Sequence, residues 1–121
     1  MKAYSTIVAL ALVTATGSFA PAFARPFLYV SGFSYSGSGE ACLKGAQKAL
    51  EAADFKRDIK TDKFDGDAAE QGGFVYGYLK KNPIVATIEC DAGEGITTLG
   101  VSGLNDELTF KKYQELYDSE W

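Results

Sequence analysis

The 121-residue chain contains no histidine. Imidazole is the side chain that exchanges protons near neutral pH and the commonest metal ligand. Its absence excludes Ser-His-Asp and Cys-His catalysis, and the zinc and haem sites that require it. There are only two cysteines, Cys42 and Cys90, and no C-x-x-C pair for redox or metal chemistry. The chain lacks a G-K-[ST] phosphate motif, an internal repeat and a low-complexity tract. No apolar run approaches the ~20 residues of a spanning helix. Positive charge is also scarce, with 12 Lys and Arg against 16 Asp and Glu. The pairs Lys80-Lys81 and Lys111-Lys112 are too small to hold DNA or an anionic membrane surface. We therefore expect no nucleic-acid partner, no membrane span in the mature form and no cofactor.

What the chain does have begins at its N-terminus. Lys2 is followed by the apolar run Ile7 to Val13, then Gly17, Pro21 and Ala22-Phe23-Ala24. Positive start, short apolar core and A-x-A site in that order describe a secretory signal peptide over residues 1–24, cleaved after Ala24. The mature protein is then residues 25–121, a single small domain with a net charge of −5 once Lys2 is set aside from the whole-chain −4. The expected location is the periplasm or the medium. Both are oxidising, and an even cysteine count there predicts a Cys42–Cys90 disulfide. Closing a 48-residue loop stabilises by up to roughly 4 kcal/mol on chain entropy. That is a large share of the ~5–15 kcal/mol available to a domain.

Hydropathy patterning predicts the order β-α-β-β-β-β-α. Phe27, Tyr29, Phe33 and Tyr35 alternate with Leu28, Val30 and Gly32, the period of a strand. After the Ser36-Gly37-Ser38-Gly39 break, Cys42, Ala46, Ala49, Leu50 and Ala53 form the apolar stripe of a helix over about residues 40–54. A weak, charge-interrupted edge strand is expected over Phe55 to Phe64. Three firmer strands follow at 74–80, 84–90 and 96–103. Cys90 shares a face with Ile84, Ala86 and Ile88, so a helix packed on that face brings Cys42 to it. Asn105 is a fitting N-cap for a final helix over about 106–118, whose apolar side is Phe110, Tyr113, Leu116 and Tyr117. Strands grouped after a helix and joined by hairpin-length turns indicate an α+β domain with an antiparallel meander.

The run from Cys42 to Phe55 resembles the helix of a family of small exported bacterial proteins of unknown function. The same family resemblance extends to Val75-Tyr76-Gly77, Ala86-Thr87-Ile88-Glu89-Cys90 and Val101-Ser102-Gly103. These are packing motifs. The resemblance implies this fold and a disulfide, and carries no activity with it.

No catalytic residue can be assigned from these patterns. Gly37-Ser38-Gly39-Glu40 follows a strand and opens a helix, as a dinucleotide loop does. Cys42 replaces the third glycine, however, and Glu40 puts a negative charge where a phosphate would sit. Asp62, Asp65, Asp67 and Glu70 could suit a hard cation, but their spacing is not that of an EF-hand loop. They form the basis of one alternative reading, a small carboxylate- or metal-dependent hydrolase. The aromatics support a different one. Tyr29, Phe33, Tyr35, Tyr76 and Tyr78, with Phe74 in alternation on the same strand as the last two, are expected to share one sheet face opposite the first helix and to form a binding surface. The leading expectation is therefore an exported, disulfide-stapled binding protein, an inhibitor of a secreted enzyme being one version. Its partner is another envelope or secreted protein, or a second copy of itself in a self-associating structural protein.

Overall fold

A computed structural model describes residues 25–121. The segment 1–24, with the expected signal peptide and the cleavage after Ala24, lies outside the described residues. Strand β1 (Phe27–Ser34) leads to helix α1 (Gly39–Ala52), then β2 (Arg57–Lys63), a short 3-10 turn (Gly66–Glu70), β3 (Gly72–Tyr78), β4 (Ile84–Asp91), β5 (Ile96–Gly103) and α2 (Asp106–Tyr117). The α+β class and the β-α-β-β-β-β-α order are those expected. The strands form one antiparallel sheet in the order β1-β5-β4-β3-β2. The chain begins at one edge, crosses by α1 to the other, and walks back until β5 pairs with β1. Among the described residues no helix is long and apolar enough to cross a membrane.

Local chemistry sets the element ends. Ser38 caps α1 by accepting the Ala41 amide at 3.1 Å, and Asn105 caps α2 by accepting the Leu108 amide at 2.9 Å. Helix α1 stops at Ala52, before the expected boundary, because Asp54 takes a left-handed φ of 69°. The Phe55 amide then bonds to the Leu50 carbonyl and the Asp54 amide to the Glu51 carbonyl, closing a Schellman motif. Phe55 is thereby turned inward and fully buried. It is a core residue of the α1–β2 connection rather than the first residue of the edge strand. The turn before β3 also extends that strand backward to Gly72-Gly73, where φ values of 145° and 155° and the close passage of the Cys90 carbonyl at Gly72 and the Asp62 carbonyl at Gly73 leave no room for a side chain.

The core lies between one sheet face and the two helices. Directly paired residues of an antiparallel sheet share a face, so Val75, Ile88, Leu99 and Ser31 form one row across it. Ile84, Ala86, Ile88, Cys90, Leu99 and Val101 are all buried there against Leu43, Ala46, Leu50 and Leu116. Helix α1 lies over β3 and β4, and α2 over β5 and β1. The second helix thus shares the face of the first. The Cys42–Cys90 disulfide joins the first turn of α1 to β4, with Cα atoms 6.0 Å apart. Among the described residues, every buried side-chain nitrogen or oxygen has a hydrogen-bond partner.

Two stability outcomes follow from this packing. Replacing both cysteines (Cys42→Ala with Cys90→Ala) should lower unfolding free energy by roughly 2–4 kcal/mol, measured by denaturant titration, with the far-UV spectrum retained. Asp54→Gly should raise it by about 0.5–1 kcal/mol, because glycine occupies the left-handed cap position without steric cost. A lower midpoint for that variant would refute the assignment of the cap.

Candidate functional site

The register separates the aromatic residues that the sequence places together. Tyr29 pairs with Val101 and Phe33 with Thr97. These partners lie on the helix-covered face, so Tyr29 and Phe33 point toward α2. Tyr35 lies at the end of the same row, bonded through its amide to the Gly95 carbonyl and packed against the core. On β3 it is Val75 that joins the buried row. Phe74, Tyr76 and Tyr78 therefore project from the opposite, uncovered face. The expected single binding surface of Tyr29, Phe33, Tyr35, Tyr76 and Tyr78 is thus corrected to two sets, on opposite faces and near opposite edges. The physical reason is that β1 sits beside β5, not beside β3, and its odd-numbered residues fall in line with the buried residues of β4.

The first set is built into a continuous aromatic cluster. Tyr29 packs against Phe110 (ring centroids 5.1 Å apart) and Tyr113 (5.5 Å). Phe33 packs against Tyr117 (5.2 Å) and Trp121 (5.8 Å), and Tyr113 against Tyr117 (5.7 Å). Each such pair contributes about 0.5–1.5 kcal/mol beyond its area. The polar tips are satisfied too, since the Tyr29 hydroxyl donates to the Asp106 carboxylate and the hydroxyls of Ser31 and Tyr113 share a hydrogen bond. Trp121 lies over Gly45 of α1, where a Cβ would come within 2.8 Å of the Trp121 backbone. The chain end is therefore docked against the first helix.

This cluster has an uncovered outer flank. Leu28 is 67% exposed, Val30 56%, Tyr117 48%, Phe27 43% and Phe110 42%. Phe27, Phe110 and Tyr117 lie on the helix side of the β1 edge, whereas Leu28 and Val30, which alternate with Tyr29, project from the open sheet face at the same edge. Between strand and helix runs a groove of about 370 Å³ bordered by Ser31, Phe110, Tyr113, Gln114, Tyr117 and Asp118. Phe110 and Tyr117 were legible in the sequence as part of an aromatic stripe at i and i+7. Nothing in the stripe reveals that only Thr109 and Leu116 of this helix are fully buried.

The other set is held differently. Tyr76 donates to Asp62 at 3.2 Å, Arg57 lies over the Tyr78 ring at 5.5 Å, and Phe74 meets Phe64 edge-on at 5.5 Å. Neighbours on β2 thus cover part of each ring.

The acidic candidates stay apart. Asp62 is engaged with Tyr76 on the open face. Asp65 and Asp67 are exposed at the 3-10 turn, and Glu70 faces a shallow pocket shared with Ser38, Glu40 and Lys63. Among the described residues, no three His, Cys, Asp or Glu side chains come together in a group that could hold a metal ion. A cavity of about 440 Å³ is lined by Lys56, Lys80, Lys81 and Lys112 with Asp54, Leu79 and Leu108. It sits at the C-terminal, negative end of α1. Lys112 already donates there to the Ala53 carbonyl at 3.0 Å and to Glu115 at 2.8 Å. Lys112 thus answers the helix dipole, and Lys56 is paired with Asp54 at 3.7 Å.

No protein-family model matches the chain, and no curated protein or solved structure matches it either.

The hydrogen bond to the Asp106 carboxylate, then burial, then repulsion by its charge raise the Tyr29 hydroxyl above the ordinary value of 10.0. A folded-state value above the unfolded one gives stability that is present below about pH 10 and lost as pH rises through the folded value. Phenolate absorbance should show tyrosine titrating above pH 10. Asp106→Asn should return one of these transitions toward the ordinary value and bring alkaline unfolding to lower pH. An unchanged titration would mean that the contact does not form in solution.

Proposed function

We propose that the mature chain is an exported, disulfide-stapled interaction protein that acts by binding another protein chain through the flank formed by β1 and α2, without a catalytic centre of its own. One observation carries this reading. Phe110 and Tyr117, half exposed, border a groove backed by a rigid aromatic cluster beside the β1 edge, where Phe27 is also half exposed on the helix side and Leu28 and Val30 on the open side. Monomeric soluble domains rarely leave such contiguous apolar patches open, and those that remain mark interaction sites. Aromatic anchors held in place by packing lose little entropy on binding. The strand edge adds unpaired backbone groups that an incoming extended chain can use. The disulfide fits a protein that works in the periplasm or the medium, where thiols are oxidised.

The test is capture on immobilised mature protein, offering both the purified chain itself and an exported-protein fraction. A stoichiometric polypeptide should be retained. The pair Phe110→Ala with Tyr117→Ala should weaken retention by at least about 10-fold, in keeping with loss of two aromatic anchors, while the melting temperature falls only modestly because both rings are half in solvent. Retention unchanged in that variant would refute the assignment of the flank.

A further inference from the structure

We infer that the chain bound at this flank is a second copy of the protein, added antiparallel to β1 so that two five-stranded sheets become one sheet of ten strands. The inference rests on reading the β1–α2 flank as an interaction surface, and names its occupant.

The backbone of β1 is arranged for self-pairing. The Tyr35 amide donates to the Gly95 carbonyl at 2.8 Å, and this pair continues the register that runs from Phe27↔Gly103 to Ser34↔Ile96. Residues of an antiparallel strand bond alternately to one side and the other. The odd-numbered residues of β1 thus bond to β5, and the amides and carbonyls of Leu28, Val30, Gly32 and Ser34 point out of the sheet. A two-fold axis at Ser31 sets Val30 against Gly32 of the second copy and Leu28 against Ser34 of the second copy. Every outward group in this segment then meets its complement, and each branched side chain lies opposite a small one. The strand Phe27–Ser34 contains no charge and no proline to prevent such pairing.

The helix layer fits the same axis. Helix α2 lies across β5 and β1, so it stands about half a strand spacing inside β1, and the axis lies half a spacing outside. The two α2 helices are then roughly 10 Å apart, the distance of packed helices. Ser31 touches Tyr113, so the axis passes near the middle of α2, by Gln114. The stripe turned toward it, Phe110, Tyr113, Gln114 and Tyr117, is uncharged, with Asp118 at the far end of the groove. Each copy places its Phe110 and Tyr117 against the other helix and closes the groove. Phe27, Phe110 and Tyr117 on the helix side, Leu28 and Val30 beside the small Ser34 and Gly32 of the second copy on the open side, and the strand edge together bury up to roughly 1,000 Å² over two copies, the lower bound of a specific interface.

The opposite edge explains why the assembly stops at two. Strand β2 carries Arg57, Asp58, Lys60, Asp62 and Lys63, and its register is broken between Arg57 and Lys60. Asp58, within that break, has a φ of 51°. Charge and a bulge of this kind block edge pairing. One open edge and one blocked edge give a closed dimer rather than a fibre.

Sedimentation velocity on residues 25–121, with the disulfide formed, tests this. The wild type should sediment at twice the monomer mass in the micromolar range. Val30→Lys with Phe110→Glu should sediment as a monomer up to about 100 µM and keep the wild-type circular dichroism. Ser31→Cys should form a disulfide-linked dimer on mild oxidation, since the axis sets the two residues about 4.5 Å apart. Phe74→Cys, on the open sheet face, should not. A monomeric wild type, a dimer untouched by the double variant, or crosslinking through residue 74 and not 31 overturns the inference. If the wild type is monomeric but the flank retains a different protein and loses it in the double variant, only the self-association fails. If the flank retains nothing, the interaction reading fails with it.

Discussion

Ile84, Ala86, Ile88 and Cys90 face one way from the central strand β4, while Val85, Thr87 and Glu89 face the other. With Leu99 and Val101 on β5 they make the only sheet face that is uniformly apolar, and both helices must bury their stripes on it. The remaining architecture follows from that sharing. Helix α1, with its alanines, takes the β3–β4 half and is tied there by the disulfide. Helix α2 is displaced to the β5–β1 half, where it meets the inward residues of the edge strand. Among the described residues, no helix packs on the other face of the sheet.

Displacement of α2 toward the edge creates the candidate site. A helix centred over an inner strand would bury its aromatic stripe. One that straddles the edge strand buries half of it, on Tyr29 and Phe33, and leaves Phe110 and Tyr117 overhanging. The two edges differ accordingly. Strand β2 is charged, bulged and short of apolar contacts, as a protected edge is. Strand β1 is uncharged, regular and backed by a rigid aromatic cluster. The small size of the domain sharpens this asymmetry, because the 97 described residues supply too few apolar side chains to cover both edges of a five-stranded sheet.

Much of this was legible beforehand because it is local. The period of two in residues 84–90 and 96–103, the small-residue helical stripe after Gly39, and the Asn105 cap each fix an element through short-range chemistry. The disulfide followed from two cysteines on buried stripes. Asp54 was harder to read, since a left-handed aspartate at a helix end carries no signal as strong as glycine does. The burial of Phe55 followed from it. The grouping of Tyr29 with Tyr76 failed because alternation says only that residues on one strand share a face. It cannot say which face, relative to another strand, until the register between the strands is known.

The sequence by itself determined the elements, their order, the pairing of Cys42 with Cys90 and the chemistry that a chain without histidine cannot perform. These depend on residue type and on spacing within a few turns or a single strand. Only the tertiary structure decided that β1 returns to the far edge beside β5, that α2 shares the face of α1, and that the aromatics therefore divide between a helix-covered flank and an open sheet face. Those outcomes depend on contacts between residues some 70 to 80 positions apart, such as Tyr29 with Asp106 and Ser31 with Tyr113. Such contacts are selected by competition for a single apolar surface, and that competition has no local signature in the chain.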